Sequence, residues 1–534
     1  MDPELPRRRL MKRFFSKENM IGLLLLFLAV AAFCCLKIGA GKREDTQADE
    51  VLVEKIEAPV PVGGWSEREL GVADGAVLKI IGKKASLYGD DGVMLWTTDQ
   101  ALLVQDGLVT DLDGDGITEM ILLLWRVGKY GKHHPFWETN DVEQYSQHIF
   151  IYEIGKDLQV KEKWCASDVG REIMRFKLIE KNNSIILTED VEGACNLWIW
   201  DSFGLKIMEN GAIMVAFGDN IIHKEIYEYA YAKRDGNFDF LYEPFYDDIQ
   251  RADIAAFQQE TILVDKDSAV SGYPMFGTPL GVGDAIAEAG FDVACCAGNH
   301  ALDKGLYGIN VTTNYYKDLG VLTVGVQSSA EEEYRPFEIV NRNGISFALL
   351  DYTYGTGVNI DSAEDNIENN RPSYVHYLPG MEEAENIEEI SGGENKPEET
   401  NGGRDNFEDG FVEDIRQARE SADFVVVFVH WGDEYSKEVS DYQRWITGLL
   451  AEGGADLVIG THPHVLQDVE TVKRPDGGEM LVYYSLGNFR AYQGRSEDTR
   501  VGGEAVITIE HCFEGVRIAS HELKEIDAYV KFWE

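Results

Sequence analysis

From Ala212 onward the chain carries a series of short, nearly continuous apolar runs: Ala212 to Phe217, Ala252 to Phe257, Asp292 to Ala297, Phe347 to Leu350, Phe424 to Val429, Leu457 to Ile459 and Leu481 to Tyr484. A strand with one wet face alternates apolar and polar residues, whereas a strand covered on both faces does not. These runs are separated by stretches of helical character, so the pattern predicts an α/β layered domain over residues 211–522. Between about residues 361 and 409 the apolar period disappears and Glu, Asn and Gly dominate. That composition predicts a solvated, disordered insert on the domain surface.

The region before this domain reads differently. Short apolar runs such as Val77 to Ile81 and His148 to Ile154 sit among many Trp and Gly residues with few helix signals, which predicts a smaller all-β module over residues 63–210. Leu95 to Leu124 and Lys163 to Leu187 each run from a Trp through a polar turn into an apolar strand, a hint of a repeated hairpin. Asp111, Asp113, Asp115 and Glu119 place acidic oxygens along a Gly-containing turn, as calcium requires. The turn resembles the calcium loops of FG-GAP-type β-propeller repeats, although the module is too short for a whole propeller. The competing reading is an Asp-Gly turn chosen for its backbone alone.

At the other end of the chain, Met20 to Leu36 form an unbroken apolar run behind Arg7, Arg8, Arg9, Lys12, Arg13 and Lys17. This is the positive-inside arrangement of a single span whose C-terminal side lies outside the cytoplasm. It predicts a basic cytoplasmic tail over residues 1–19, a transmembrane signal anchor over 20–40 and a linker over 41–62, with the bulk of the chain extracytoplasmic at the cell membrane. A cleaved signal peptide is the alternative, with Ala29 and Ala31 as small residues near the cleavage region. Seven cysteines in 534 residues do not make a disulfide scaffold; Cys165 and Cys195 are the two that could bridge. A formal charge of −45 excludes nucleic acid as a partner and means that any anionic substrate must be held by a local positive charge, such as a metal.

Several of the apolar runs end in residues suited to metal binding, and open α/β sheets gather ligands at strand C-termini. They are Asp219 after Gly218, Glu260 after Gln258 and Gln259, Asn299 and His300 after Gly298, His430, His462 and His464 around Pro463, and Asn488 after Gly487. Hard oxygen and borderline nitrogen donors converging from different strands are what a metal-dependent hydrolase needs to clamp a phosphate and acidify water.

The strings "GNHALDKG", "HWGDEY", "GTHPHVLQ" and "YSLGNF", with "AEAGFDV" and "AEGGADLVIG" before the first and third, resemble those of CapA-type capsule-synthesis (poly-γ-glutamate) proteins. This family is a branch of the calcineurin-like metallophosphoesterases, and the likeness covers about Gly211 to Ile518. The resemblance implies a metallophosphoesterase-like α/β/β/α sandwich with its metal site at one edge. It also implies that Asp219 and His464 hold one ion, that Asn299, His430 and His462 hold another, and that Glu260 lies near both. His300 would be the catalytic proton donor or charge stabiliser. Two departures stand out: Gln258-Gln259-Glu260 replaces the family's Asn-x-Glu, and Asn220 and Ile221 follow Asp219 where the wider superfamily has Asp-x-His. His223 is the nearest histidine to that gap.

The implied activity is metal-dependent hydrolysis of a phosphate ester or polymer linkage at the cell surface, with one or two ions of manganese, iron or zinc. The implied partners are the membrane, a cell-surface polymer or phosphate ester, and other membrane proteins of capsule synthesis. Two other readings stand beside it. One is a non-catalytic capsule assembly factor with a structural metal. The other is a surface-binding protein that works through calcium in the β module.

Overall fold

The computed structural model describes residues 56–130, 141–179, 182–330, 333–356, 374–380 and 404–532. The basic tail, the predicted anchor and most of the linker lie outside the described residues. Among the described residues no helix is long and apolar enough to cross a membrane. The chain divides into two compact units between Met174 and Arg175.

The first unit is built from two four-stranded antiparallel meanders. One comprises Arg68–Gly71, Val77–Ile81, Lys84–Tyr88 and Met94–Thr97; the other comprises Leu103–Thr110, Thr118–Val127, Tyr145–Ile154 and Val160–Asp168. Alternate residues of these strands, among them Leu78, Ile80, Leu87, Met120, Leu122, Leu124 and Phe150, form one shared core. Val77–Ile81 and Lys84–Tyr88 bury every second residue, whereas Thr118–Val127 is buried without a break from Glu119 to Trp125. A third meander, formed by Ile173–Ile179, Asn182–Asp190, Cys195–Asp201 and Gly204–Met208, falls almost wholly in the second unit. There Asn210 Nδ2 donates to His511 O at 2.9 Å. Cys165 and Cys195 are both free thiols.

The second unit contains two larger sheets. In the first, the strands run in the order Leu322–Val324, Val293–Cys295, Ile254–Gln258, Ala212–Asn220, Val501–Cys512 and Gly515–Asp527, and Asn488–Arg490 pairs with the end of Ala212–Asn220. In the second, the order is Glu338–Arg342, Ile345–Thr353, Phe424–His430, Leu457–Thr461, Glu479–Tyr483 and Val469–Lys473. The central strands of both sheets pair in parallel. Side chains alternate between two cores. Met214, Ala216, Phe347, Leu349, Val426 and Phe428 meet between the sheets. Val215 and Phe217 face the outer helices of the first sheet, including Leu280–Ala289 and Gly305–Leu319. Val425, Val427 and Val429 face Arg404–Ser421 and Asp441–Gly453 on the other side.

This is the α/β/β/α layering that the resemblance implies, and the continuous Val, Ile and Phe runs are its doubly covered strands. Each fully buried side chain of this size contributes about 2 kcal/mol of transfer free energy. The helix Asp441–Gly453 is opened by a capping box in which Ser440 and Gln443 satisfy each other's backbone N–H groups.

The expected solvated insert needs a correction. Within residues 361–409, the segment 374–380 is built into the domain: Val375 bridges Val326, Tyr377 bridges Thr353, and Val375, His376 and Leu378 are buried. The helix Arg404–Ser421 also begins inside the expected insert. Residues 361–373 and 381–403 lie outside the described residues.

Candidate metal centre

Two close approaches bring the strand ends together. Gly218 sits at a register shift, where a Cβ would lie 1.8 Å from Gly487 O. The missing side chain lets Asp219 N donate to Gly487 O at 2.9 Å, with Asp219 opposite Asn488 across the sheet. Gly460 has no room for a Cβ either, because one would meet Tyr484 O at 2.1 Å. The chain then turns through His462 and His464, both with left-handed φ, of 95° and 58°. Non-glycine residues adopt this conformation only where the surroundings hold them, and such strain gathers at functional sites.

The resulting cluster is buried. Asp219, Glu260, His430, His462 and His464 are each at most 3% exposed. Ligand atoms of Asp219, Glu260 and His430 lie within 4.8 Å of one another. Asp219 Oδ2 is 3.2 Å from His464 Nδ1 and accepts from His462 N at 3.1 Å. His430 Nε2 lies 3.1 Å from Asn299 Oδ1 and 3.1 Å from His462 Nδ1, while its Nδ1 lies 3.0 Å from Thr461 Oγ1. His464 Nε2 is 3.8 Å from Glu260 Oε1. The structure thus gathers all six residues predicted as metal ligands, including Glu260 after the unusual Gln258-Gln259 pair.

His300 stands beside this cluster. Its Nδ1 is 2.8 Å from Asp303 Oδ2, which also accepts from Phe276 N at 2.7 Å, and the Phe276 ring meets the imidazole edge-on at 4.7 Å. A carboxylate on one ring nitrogen fixes the tautomer and presents the other nitrogen. His223, the histidine nearest the missing first-motif position, has its Nδ1 engaged, accepting from Tyr492 N at 3.2 Å. Burial, with smaller contributions from His464 and His300, lowers its pKa to about 4. Gln258, the first residue of the string that departs from the family's Asn-x-Glu, donates from Nε2 to Ala297 O at 2.9 Å.

Sequence reasoning missed three supporting residues. Asp303 and Thr461 lie inside the motif strings, where their spacing to His300 and His430 is a usable signal. Tyr354, whose ring lies 4.7 Å from that of His462, lies in no motif.

Electrostatics test whether a metal fits. Burial drives the Glu260 carboxyl well above its ordinary value, with His464 opposing the shift and Asp219 adding to it. Burial likewise drives His430 and His462 well below theirs, and the neighbouring imidazoles push the same way. At His464 burial also pulls downward, but Glu260 and Asp219 outweigh it and raise the pKa to about 9. Asp219 Oδ1 and Glu260 Oε2 are buried acceptors with no hydrogen-bond partner. The neutral imidazoles of His430 and His462 beside partnerless buried carboxylate oxygens form a donor set suited to a divalent transition metal, with Asp219, Glu260, Asn299, His430, His462 and, once deprotonated, His464 to hold it. When bound, such an ion supplies Lewis-acid charge to a phosphoryl group.

The acidic turn of the first unit is balanced from within. Asp111 Oδ1 accepts from Gly114 N and Asp115 N, and its Oδ2 from Gly116 N. Lys163 Nζ lies 2.7 Å from both Asp113 Oδ2 and Glu119 Oε1. Asp111, Asp113 and Asp115 still offer oxygens within 4.8 Å of one another. Glu119 is turned to Lys163 and to Leu112 N.

Residues 213–493 match the model of the family "Bacterial capsule synthesis protein PGA_cap". The chain belongs to this family. Among curated relatives, the PGA biosynthesis protein CapA of Bacillus subtilis (strain 168) is 28% identical over 209 residues, which is 39% of this chain and 45% of that one. The capsule biosynthesis protein CapA of Bacillus anthracis is 28% identical over 224 residues, 40% and 44% of the two chains. The chain therefore spans less than half the length of the curated relatives it matches. Solved structures similar to it include a hypothetical protein from Thermus thermophilus, at 16% identity and TM-score 0.31, covering 59% of this chain and 99% of that one. Another is the calcineurin-like phosphoesterase YfkN from Bacillus subtilis, at 13% identity and TM-score 0.30, covering 60% and 91%.

Proposed function

We propose that this PGA_cap protein is a membrane-anchored, extracytoplasmic, metal-dependent hydrolase of the phosphoesterase type. Its substrate is a phosphate ester or polymer linkage at the cell surface, cleaved during synthesis or export of a capsule or poly-γ-glutamate-type polymer. The observation that carries the reading is the buried convergence of Asp219, Glu260 and His430, with two carboxylate oxygens left without partners. The geometry supports the following roles. Asp219, Glu260, Asn299, His430, His462 and His464 would hold the cation, a water molecule would supply the attacking oxygen, and His300, oriented by Asp303, would give a proton to the leaving oxygen. Anchoring rests on the basic cluster ahead of Met20 to Leu36.

The test is hydrolysis of bis(4-nitrophenyl) phosphate by the full-length chain reconstituted with manganese or zinc. Turnover lost in His300→Ala with metal content unchanged supports the reading. Equal turnover in both proteins contradicts it. The assembly-factor reading is favoured by one observation, that His464 at a pKa of about 9 already offsets Asp219 and Glu260. It predicts metal-dependent thermal stability with no turnover by either protein.

A further inference from the structure

We propose that Arg495, seated on Tyr435 beside the ligand cluster, is a specificity-determining residue that receives a second anionic group of the substrate, a carboxylate or a phosphate. The inference deepens the hydrolase reading and rests on it.

Tyr435 is a fixed platform. Its backbone is left-handed with φ 67°, its N donates to Pro463 O at 2.7 Å, and its ring lies 5.8 Å from that of His464. Its hydroxyl accepts from Gln493 Nε2 at 3.1 Å, and Gln493 Oε1 in turn accepts from Asn488 Nδ2 at 3.0 Å. Asn488 is the sheet neighbour of Asp219. The tyrosine is thus tied both to the His462–His464 turn and to the strand end that carries Asp219.

The Arg495 guanidinium carbon lies 4.1 Å from the centre of this ring, and the side chain is exposed. Other cations around it have acid partners: Lys437 pairs with Asp498 at 2.6 Å and Arg500 with Glu497 at 3.8 Å. Among the described residues no carboxylate lies within 4.0 Å of the Arg495 guanidinium. Glu434 also stays outside that range, and the Arg495 guanidinium is engaged with the Tyr435 hydroxyl. A guanidinium held over a ring, even with one N–H engaged by the ring's hydroxyl, has further N–H groups to offer a planar oxyanion. In a chain of formal charge −45, an arginine held by an aromatic ring and left without an acid is a local exception to the field that repels anions.

The test uses the full-length, metal-reconstituted chain and three 4-nitrophenyl phosphodiesters whose second ester group is ethyl, 2-carboxyethyl or 2-phosphoethyl. In wild type, kcat/KM should favour an anionic diester over the ethyl one. In Arg495→Ala that preference should fall by about tenfold through KM, with ethyl-diester turnover unchanged, and Arg495→Lys should retain most of it. The larger fall identifies carboxylate or phosphate as the group received. No preference in wild type, or the same preference in Arg495→Ala, overturns the inference. If wild type hydrolyses none of the three, the hydrolase reading fails, and calorimetric binding of the intact carboxyethyl and phosphoethyl diesters judges Arg495 separately. A Kd about tenfold weaker in Arg495→Ala for either diester supports the assignment, and equal Kd values for both overturn it.

Discussion

The acidic turn of the first unit and the histidine-rich cluster of the second each bring three ligand atoms within 4.8 Å of one another, yet they are balanced in opposite ways. In the turn, backbone N–H groups occupy both oxygens of Asp111, and Lys163 lies within 4.0 Å of Asp113, Glu119 and Glu153. In the cluster, Asp219 Oδ1 and Glu260 Oε2 are buried without partners, and no Lys or Arg pairs with either carboxylate among the described residues. Proximity of carboxylates is therefore a poor guide to a metal site. What separates the two regions is whether the carboxylate lone pairs are already satisfied: His464 offsets part of the cluster's charge, but two buried oxygens there keep no donor.

The contrast can be broken most severely at Asp219. Asp219→Asn removes the carboxylate that touches His464 and the backbone of His462, and phosphodiesterase turnover should fall by about 10³-fold or more. Steady-state kinetics at saturating manganese check this, and a fall below about tenfold would show that the cluster is not the seat of activity. In the other region, Lys163→Met strands the buried Glu119 carboxylate and should cost about 3 kcal/mol of stability. Thermal melts check it, and calcium should raise the melting temperature of the variant but not of wild type. A clear calcium-induced rise in wild type would mean that the acidic turn binds the ion despite Lys163.

The smallest effect is one of pH. His464 must shed its proton before it donates a lone pair, and Glu260 and Asp219 hold that proton up to a pKa of about 9. Below that value, metal affinity should rise with pH by about tenfold per unit, then level off. His430 and His462 are shifted downward and add no further step above neutrality. Competition with a chelator between pH 6 and 9 measures the slope, and a flat profile would show that His464 is not a ligand.

Much of the second unit was legible because its strands are covered on both faces. Continuous runs such as Phe424–His430 leave no choice of exposed side, and this one ends at the histidine that enters the cluster. Regions that depend on distant partners were not legible in this way. Lys163 is 50 residues from Asp113, and the acidic turn alone does not reveal that its charge is met. The segment 374–380 was hidden because it is short: isolated bridges at Val375 and Tyr377 tie it in and Val375, His376 and Leu378 are buried, too few residues to leave a period. The strands within residues 182–208 look like more of the β module, but they group with the second unit, and the hydrogen bond from Asn210 to His511 spans 301 residues. The role of Tyr354 was equally hidden, since an aromatic residue after a strand carries no signal of a ring contact with His462.

The most direct test of the central claim is the metal content of the purified full-length chain after reconstitution with manganese or zinc, measured beside a His462→Ala/His464→Ala double variant. The account predicts about one or two equivalents of transition metal in wild type and loss of that metal in the variant. No bound metal in wild type, or equal content in both proteins, would contradict it.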